Sequence, residues 1–271
     1  MSELDLPIRR LSAHEIPMCM ELSRLAGWNQ TADDWQLLLQ PAIGDCLAIN
    51  FDGRIVATTT LVCYGRELAW LGMVLTHPDF RRQGLARRLV AAALAIAEEK
   101  RVKTVKLDAT DLGLPLYRSL GFREEQTVER WNGIGTLSAY SHQTSHQTVA
   151  FELDKEAFGA DRTPILQLLA NRATPHADED GFAMSRPGSR AAYLGPCLAR
   201  SPESAKRLIK SCLTTSPGEW YWDLLTANNA AVHLATELNF QRQRILVRMV
   251  KGPDISVNES LIYAGGGFEL G

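Results

Sequence analysis

No stretch of this chain approaches the ~18 consecutive apolar residues that a membrane-crossing helix needs, so no span is expected. Its first residues, Met-Ser-Glu-Leu-Asp-Leu-Pro, contain no basic region leading into an apolar run. That argues against a secretory leader. Excess charge is also missing: 29 Lys and Arg against 31 Asp and Glu leave a net charge of −2. A near-neutral chain has no bulk attraction to nucleic acid or to an anionic membrane, and a nucleic-acid binder would need a broad basic face. Cysteine is sparse and odd in number, at Cys19, Cys46, Cys63, Cys197 and Cys212. Scattered thiols without a disulfide framework fit a reducing cytoplasm. The six histidines lack metal-ligand spacing, so no metal is expected. A hydrophobic content of 45% over 271 residues is ordinary for one large or two ordinary globular domains.

Two familiar phosphate motifs are absent as well. There is no Gly-x-x-x-x-Gly-Lys-Ser/Thr and no Gly-x-Gly-x-x-Gly in the segment that most resembles a phosphate turn. That segment runs from Leu71 to Ala86. An apolar strand enters Thr76-His77-Pro78, a basic turn Arg81-Arg82-Gln83-Gly84 follows, and a helix starts at about Leu85. Amides at a helix N-terminus have no partner inside the helix. They face outward, and the macrodipole adds partial positive charge. The result is an anion site suited to a pyrophosphate, and Gly84 removes the Cβ that would keep a ligand away. The local basic cluster of Arg81, Arg82, Arg87 and Arg88 lies where a phosphorylated ligand would sit.

The coarse pattern alternates strands and helices. Ile8 to Leu11 reads as a strand, and Ala13 to Ala26 as a helix ended by Gly27. Thr31 is a cap for a helix from Ala32 to Gln40. Cys46–Asn50 and Ile55–Tyr64 read as strands joined by the turn Asp52-Gly53, with Glu67 to Thr76 as the next strand. Leu85, Ala86, Leu89, Val90, Ala93, Leu94 and Ala97 form one apolar stripe along a long helix. Val102 to Leu107 alternates as a half-buried strand, and Leu114 to Leu120 forms a short helix closed by Gly121. From Thr136 to Thr148 the pattern stops in a polar stretch with a doubled Ser-His-Gln-Thr, read as a linker. His142 and His146 there read as solvated loop residues.

The second half repeats the first in altered form. Leu194-Gly195 echoes Leu71-Gly72, Ala205 to Ile209 echoes Ala86 to Val90, and His233 to Phe240 echoes Pro115 to Phe122. Two departures matter. Gly195 and Ala205 lie 10 positions apart where Gly72 and Ala86 lie 14 apart, and Ala235 stands where the first copy has Tyr117. The missing stretch is the basic glycine turn.

Thr76-x-Pro78-x-x-Arg81-x-x-Gly84-x-Ala86 resembles the coenzyme-binding signature of the GNAT superfamily of acyl-CoA-dependent N-acetyltransferases, and Leu116-Tyr117-Arg118-Ser119-Leu120-Gly121-Phe122 resembles its second signature. The resemblance covers roughly residues 5–130. Phe158 to Arg162 and Ile262 to Ala264 look like the tandem proteins of that group, whose C-terminal half is a divergent copy. It implies a mixed α/β fold, α+β-like, of two tandem domains, 1–140 and 141–271. Each would be a mostly antiparallel twisted sheet flanked by helices, with a splayed central strand pair. It implies acetyl-CoA as cosubstrate and direct transfer to a small-molecule or peptide amine in a ternary complex, with the acceptor left open.

On that resemblance the coenzyme would lie along Val74, Leu75 and Thr76 and on Arg81, Arg82, Gln83, Gly84, Leu85 and Ala86. The pantetheine arm would pair with the strand by strand addition, and an N–H near Val74 would face the acyl oxygen. Tyr117 is the expected general acid toward the leaving thiolate. Glu67 is the candidate base, with Asp108, Asp111 and His77 as alternatives. Trp28, Asn29 and Trp35 would line the acceptor side. The divergent half is expected to shape the fold or the acceptor cleft rather than bind coenzyme. The alternative reading is an acyl-CoA-binding sensor or scaffold without turnover.

Overall fold

The computed structural model describes residues 6–135 and 150–271. The N-terminal half runs β1 (Ile8–Arg10), α1 (Ile16–Leu25), α2 (Ala32–Leu38), β2 (Gly44–Phe51), β3 (Arg54–Tyr64), β4 (Leu68–Thr76), α3 (Leu85–Glu99), β5 (Thr104–Ala109), α4 (Leu114–Ser119) and β6 (Arg123–Gly135). The C-terminal half runs α5 (Phe151–Phe158), α6 (Thr163–Ala170), β7 (Thr174–Ala177), β8 (Gly181–Arg186), β9 (Ala192–Ala199), α7 (Pro202–Leu213), β10 (Gly218–Leu225), α8 (Asn229–Glu237), β11 (Gln241–Lys251) and β12 (Ile262–Ala264). The expected mixed α/β architecture is present, and the second half repeats the element order from β4 to β6 in β9 to β11.

Local chemistry accounts for the boundaries. The Thr31 hydroxyl accepts the Asp34 amide at 3.2 Å and caps α2. Asp52 and Gly53 both take positive φ, 48° and 73°, and turn β2 into β3. Helix α3 buries Leu85, Leu89, Val90, Ala93 and Ala97, the predicted stripe. Strand β5 starts two residues later than its alternation predicts. Val102 still donates to the Ala97 carbonyl as the chain leaves α3 through Arg101, whose φ is 57°.

The twelve strands of the described residues belong to one sheet, in the order β1-β2-β3-β4-β5-β11-β6-β10-β9-β8-β7, with β12 attached to β9. The order holds an exchange. Strand β11 from the C-terminal half lies between β5 and β6, and β6 from the N-terminal half lies between β11 and β10. Each exchanged strand brings an arginine to an aspartate of the other half. Arg130 on β6 stands opposite Asp223 on β10 and donates twice to its carboxylate, at 2.7 and 2.7 Å. Arg248 on β11 stands opposite Asp108 on β5 and does the same at 2.8 and 3.0 Å. Both pairs are buried. The domain boundary at 140/141, the Ser-His-Gln-Thr repeat, His142 and His146 lie outside the described residues.

Two cores sit on one face, one under α3 and α4 and the other under α7 and α8. The opposite face carries a large core shared by α1, α2, α5 and α6, in which Trp70, Phe158 and Leu270 meet. Residues 265–271 cross from the second half to the first on this face. The Trp70 indole donates to the Phe268 carbonyl at 2.9 Å, and the Tyr64 hydroxyl to the Leu270 carbonyl at 2.6 Å.

Fragments 1–140 and 141–271 made separately each lack the strand their sheet borrows. Neither is expected to show a cooperative melt alone, whereas co-expression should give a 1:1 complex that does. Size-exclusion chromatography and thermal denaturation check this; two fragments that melt cooperatively on their own would contradict it.

Candidate active site

Strands β4 and β5 run parallel and pair only at Leu68 to Trp70 with Thr104 to Lys106. Beyond that they part. Strand β5 follows β11 as far as Ala109, while β4 bends at a bulge. Thr60 faces Gly72 and Thr58 faces Leu75, so Thr59 opposes two residues. Met73 takes φ 48°. The hydroxyls of Thr59 and Thr58 donate to the carbonyls of Gly72 (3.2 Å) and Met73 (2.9 Å) and lock the bend. The resulting cleft holds about 600 Å³ and exposes Gly72 to Thr76 along one wall. The predicted splay therefore exists, and Val74, Leu75 and Thr76 line it.

The helix turn is an open cradle. Gly84 caps α3 with φ 77°, in the left-handed region. The amides of Gln83, Gly84, Leu85 and Ala86 donate to no partner among the described residues. Arg81 and Ala86 reach the cleft, and Arg81 donates from Nε to the Thr76 carbonyl at 3.3 Å. The side chain of Leu85 is core, so only its amide faces a ligand. Arg82 is exposed at φ 61°. Arg87 and Arg88 are partly committed elsewhere, to the Ser119 hydroxyl and the Leu6 carbonyl, both at 2.6 Å. A backbone cradle of this shape fits the diphosphate of a coenzyme.

Tyr117 lines the same cleft from α4, packed edge-on to Phe122 with ring centroids 5.9 Å apart. Its hydroxyl makes no hydrogen bond among the described residues, and burial pushes its pKa up. The other expected residues divide. Trp28 lines the cleft. Trp35 does not: it is fully buried in the core and donates to the Ser23 hydroxyl at 3.1 Å. Asn29 is a tie between the halves, donating to the Ala191 carbonyl at 2.9 Å and accepting the Arg190 and Ala191 amides.

Glu67 is displaced from the role assigned by sequence. It precedes β4 at the end remote from the bulge, exposed and 2.9 Å from Lys103. A spacing of ~3.3 Å per strand residue puts it roughly 20 Å from Val74. Asp108 lines the cleft but is bound twice by Arg248, with burial driving its carboxyl pKa upward. Asp111 is an exposed wall residue. His77 accepts the Asp79 amide in the turn and does not line the cleft.

The sequence reading missed the floor of the cleft. Phe268 and Glu269 arrive on the segment that crosses from the second half. The Glu269 backbone lies against the bulge: a Cβ on Gly72 would sit 3.0 Å from the Glu269 Cα. The buried Glu269 carboxylate accepts from Gln30 Nε2 at 3.0 Å and from Arg186 Nη2 at 3.3 Å. Burial raises its pKa against the opposing pull of Arg186. Arg130 and Arg244 complete this side. The one sequence signal was Gly265-Gly266-Gly267 ahead of Phe268, a tight turn with Gly267 at φ 124°.

The counterpart in the second half is filled. Strands β9 and β10 pair at Ala192 to Leu194 with Trp220 to Trp222, then part. Strand β12 occupies that gap, pairing with Leu198 and Cys197 of β9. Gly265 donates to the Asp223 carbonyl at 2.8 Å, and Trp222 to the Tyr263 carbonyl at 2.7 Å. The N-terminus of α7 is also occupied. The Ser201 hydroxyl accepts the Ser204 amide at 3.3 Å, and Asp178 accepts the Ser204 hydroxyl at 2.8 Å and Arg207 at 2.8 Å. Burial opposes ionisation of Asp178, but these donors outweigh it and hold its pKa low. Ala235 lies buried at the position of the tyrosine.

Among the described residues no cluster of His, Cys, Asp or Glu is arranged to hold a metal ion, and no helix is long and apolar enough to cross a membrane. Two family models, each described as an acetyltransferase (GNAT) domain, match residues 42–124 and 150–264. YitH of Bacillus subtilis, an uncharacterised N-acetyltransferase, is 26% identical over 210 residues, 71% of this chain and 73% of its own length. A Pyrococcus horikoshii structure provisionally called an acetyltransferase superposes with TM-score 0.87 at 20% identity, covering 100% of this chain and 98% of that one. A tandem GNAT protein from the clavulanic acid biosynthesis pathway gives 0.65 at 15% identity, covering 92% and 100%. These structures share the fold.

Replacing Gly84 with Ala places a Cβ at the cradle and forces a left-handed non-glycine residue, at about 1 kcal/mol. The expected result is a rise of about tenfold or more in the acetyl-CoA dissociation constant by calorimetry, with a fall of a few degrees at most in melting temperature.

Proposed function

The chain belongs to the GNAT acetyltransferases, in tandem form, and we propose that its N-terminal half transfers an acetyl group from acetyl-CoA to an amine by direct attack. The supporting observation is that one cleft holds the open amide cradle of α3, the bulged edge of β4, Tyr117 and Glu269. Acetyl-CoA supplies an acetyl group activated as a thioester. The α3 cradle grips its diphosphate, and the free edge of β4 takes the pantetheine arm as an added strand. The Val74 amide faces the acyl oxygen, where negative charge grows in the transition state.

Glu269 is the base that replaces Glu67. An amine attacks only when neutral, while its usual pKa is about 10. A carboxylate shifted upward by burial is a better proton acceptor than an exposed one. It takes one proton from the ammonium, and the neutral nitrogen then bonds to the acyl carbon. Tyr117, a phenol protonated at neutral pH, donates its proton to sulfur as the carbon–sulfur bond breaks, and the second proton shed by the acylated nitrogen restores it. A carboxylate placed to act as base in the cleft supports turnover over the alternative of a sensor without it. The second half, with its gap and helix end already filled, takes no coenzyme, so one acetyl-CoA binds per chain.

Tyr117→Phe is expected to lower kcat about a hundredfold and leave the acetyl-CoA dissociation constant within about twofold; unchanged turnover would remove Tyr117 from the chemistry. Glu269 must be ionised to act, and its pKa lies above the ordinary glutamate value. The acid limb of kcat is therefore expected above that value, with activity lost as pH falls through it. In Glu269→Gln the rate should drop about a hundredfold and that limb should vanish from the pH profile. A limb that survives belongs to another group.

A further inference from the structure

We propose that the acceptor is a small amine that also carries an anionic group, its ammonium held by Glu269 and Gln30 and its anion by Arg244. This rests on the reading of the cleft as an acyl-transfer site and names the class of molecule that fits it.

The ammonium end is set by Gln30, which is buried and lines the cleft. Its Nε2 donates to the Glu269 carboxylate at 3.0 Å. A carboxylate only accepts, so the orientation of the amide is fixed. Its Oε1 is then a buried acceptor with no partner. A buried carbonyl oxygen left unpaired is costly and calls for a donor. Glu269 is bonded once on each oxygen, to Gln30 and Arg186, and retains lone pairs. One N–H to Gln30 Oε1 and one to Glu269 satisfy both, which is the geometry of a primary ammonium.

The anion end is set by Arg244. It stands directly opposite Arg130 across the β11–β6 ladder, so the two guanidiniums share one face of the sheet. Arg130 is neutralised by Asp223 and covered by the Phe268 ring, 4.3 Å from its guanidinium carbon. Arg244 has no ion pair or hydrogen bond among the described residues. The neighbouring acids are taken: Asp108 by Arg248, Glu129 by Arg242 and the Trp131 indole. Asp111, the exposed acid of the cleft, makes no ion pair with it. Arg244 therefore stands at the cleft without a counter-ion among the described residues, and a bound carboxylate or phosphate would supply one through paired N–H donors. Between the two ends, Trp28 and Phe268 offer apolar wall. A diamine would bring its second cation against Arg244.

The test measures thiol release from saturating acetyl-CoA by the full chain. The amines are amino carboxylates, amino phosphates, the matched neutral amides and alkylamines, and polyamines. The anionic amines are expected to give the highest kcat/KM, by about tenfold or more, with the carboxylate and phosphate arms showing which anion fits. Arg244→Ala should raise the KM of these acceptors about tenfold and leave the KM of acetyl-CoA unchanged. Arg244→Glu should shift preference toward diamines. A wild-type preference for neutral amines or polyamines overturns the proposal while acyl transfer stands. So does an Arg244→Ala effect confined to acetyl-CoA, which would make Arg244 a coenzyme contact. Absence of thiol release with every amine would defeat the acyl-transfer reading and this proposal with it.

Discussion

The exchange of β6 and β11 is the constraint on which the rest of the structure depends. Each strand sets one of its arginines, Arg130 or Arg248, against an aspartate that the other half supplies. A buried pair of this kind adds little net stability, because desolvation offsets the attraction. Its effect is on specificity. A one-residue slip in either ladder would turn the arginine to the opposite face and leave two buried charges apart, a penalty of about 3–5 kcal/mol. Aromatic rings reinforce the choice, Phe268 over Arg130 and Trp70 under Arg248. The register of twelve strands is thus fixed at its centre, and both gaps in the sheet inherit their shape from that centre.

Both gaps arise in the same way. Two parallel strands share three residue pairs and then diverge, β4 from β5 and β9 from β10. A diverging pair exposes backbone donors and acceptors that a folded chain must satisfy. In the second half β12 satisfies them from within, as a bound peptide would. In the first half no strand among the described residues does, and the walls stay open over about 600 Å³. The helix ends follow the same division. Helix α7 has the Ser201 hydroxyl on its Ser204 amide, with Asp178 on the Ser204 hydroxyl, at the position where α3 presents free amides. The ten-residue spacing in the second copy reflects this, since it leaves no room for a glycine turn.

Local features were legible in the sequence. The α3 stripe and the Gly84 turn depend on residues close together in the chain, the altered second copy shows as a repeated local pattern, and the splay near Val74 and the place of Tyr117 were implied by the family resemblance. Pairing between distant strands was not legible. Strands β6 and β11 have similar polar-rich patterns, and no local signal tells which of two such strands lies beside β5. Glu67 was chosen for its closeness in sequence to the coenzyme strand, but an extended strand carries its two ends far apart. Trp35 and Asn29 have the residue types of a pocket lining, yet a short helix buries one and a bond across the halves takes the other. Glu269 lies about two hundred residues from the bulge it touches, and only the crossing segment brings it there.

That segment links the two gaps. Residues 262–264 fill the second, and residues 265–271 continue from the filling strand to the floor of the first. The Gly265 amide bonds to β10, and three residues later the Phe268 carbonyl receives the Trp70 indole of β4. The strand that occupies one gap therefore anchors the residues that complete the other. If β12 left its gap to admit a ligand, Phe268 and Glu269 would lose their anchor, and with them Gln30 and Arg130 would lose a hydrogen-bond partner and a covering ring. Occupation of the second gap and completion of the first cleft are thus joined through one segment. In a tandem chain built this way, the copy whose gap is filled holds the floor of the cleft in the other.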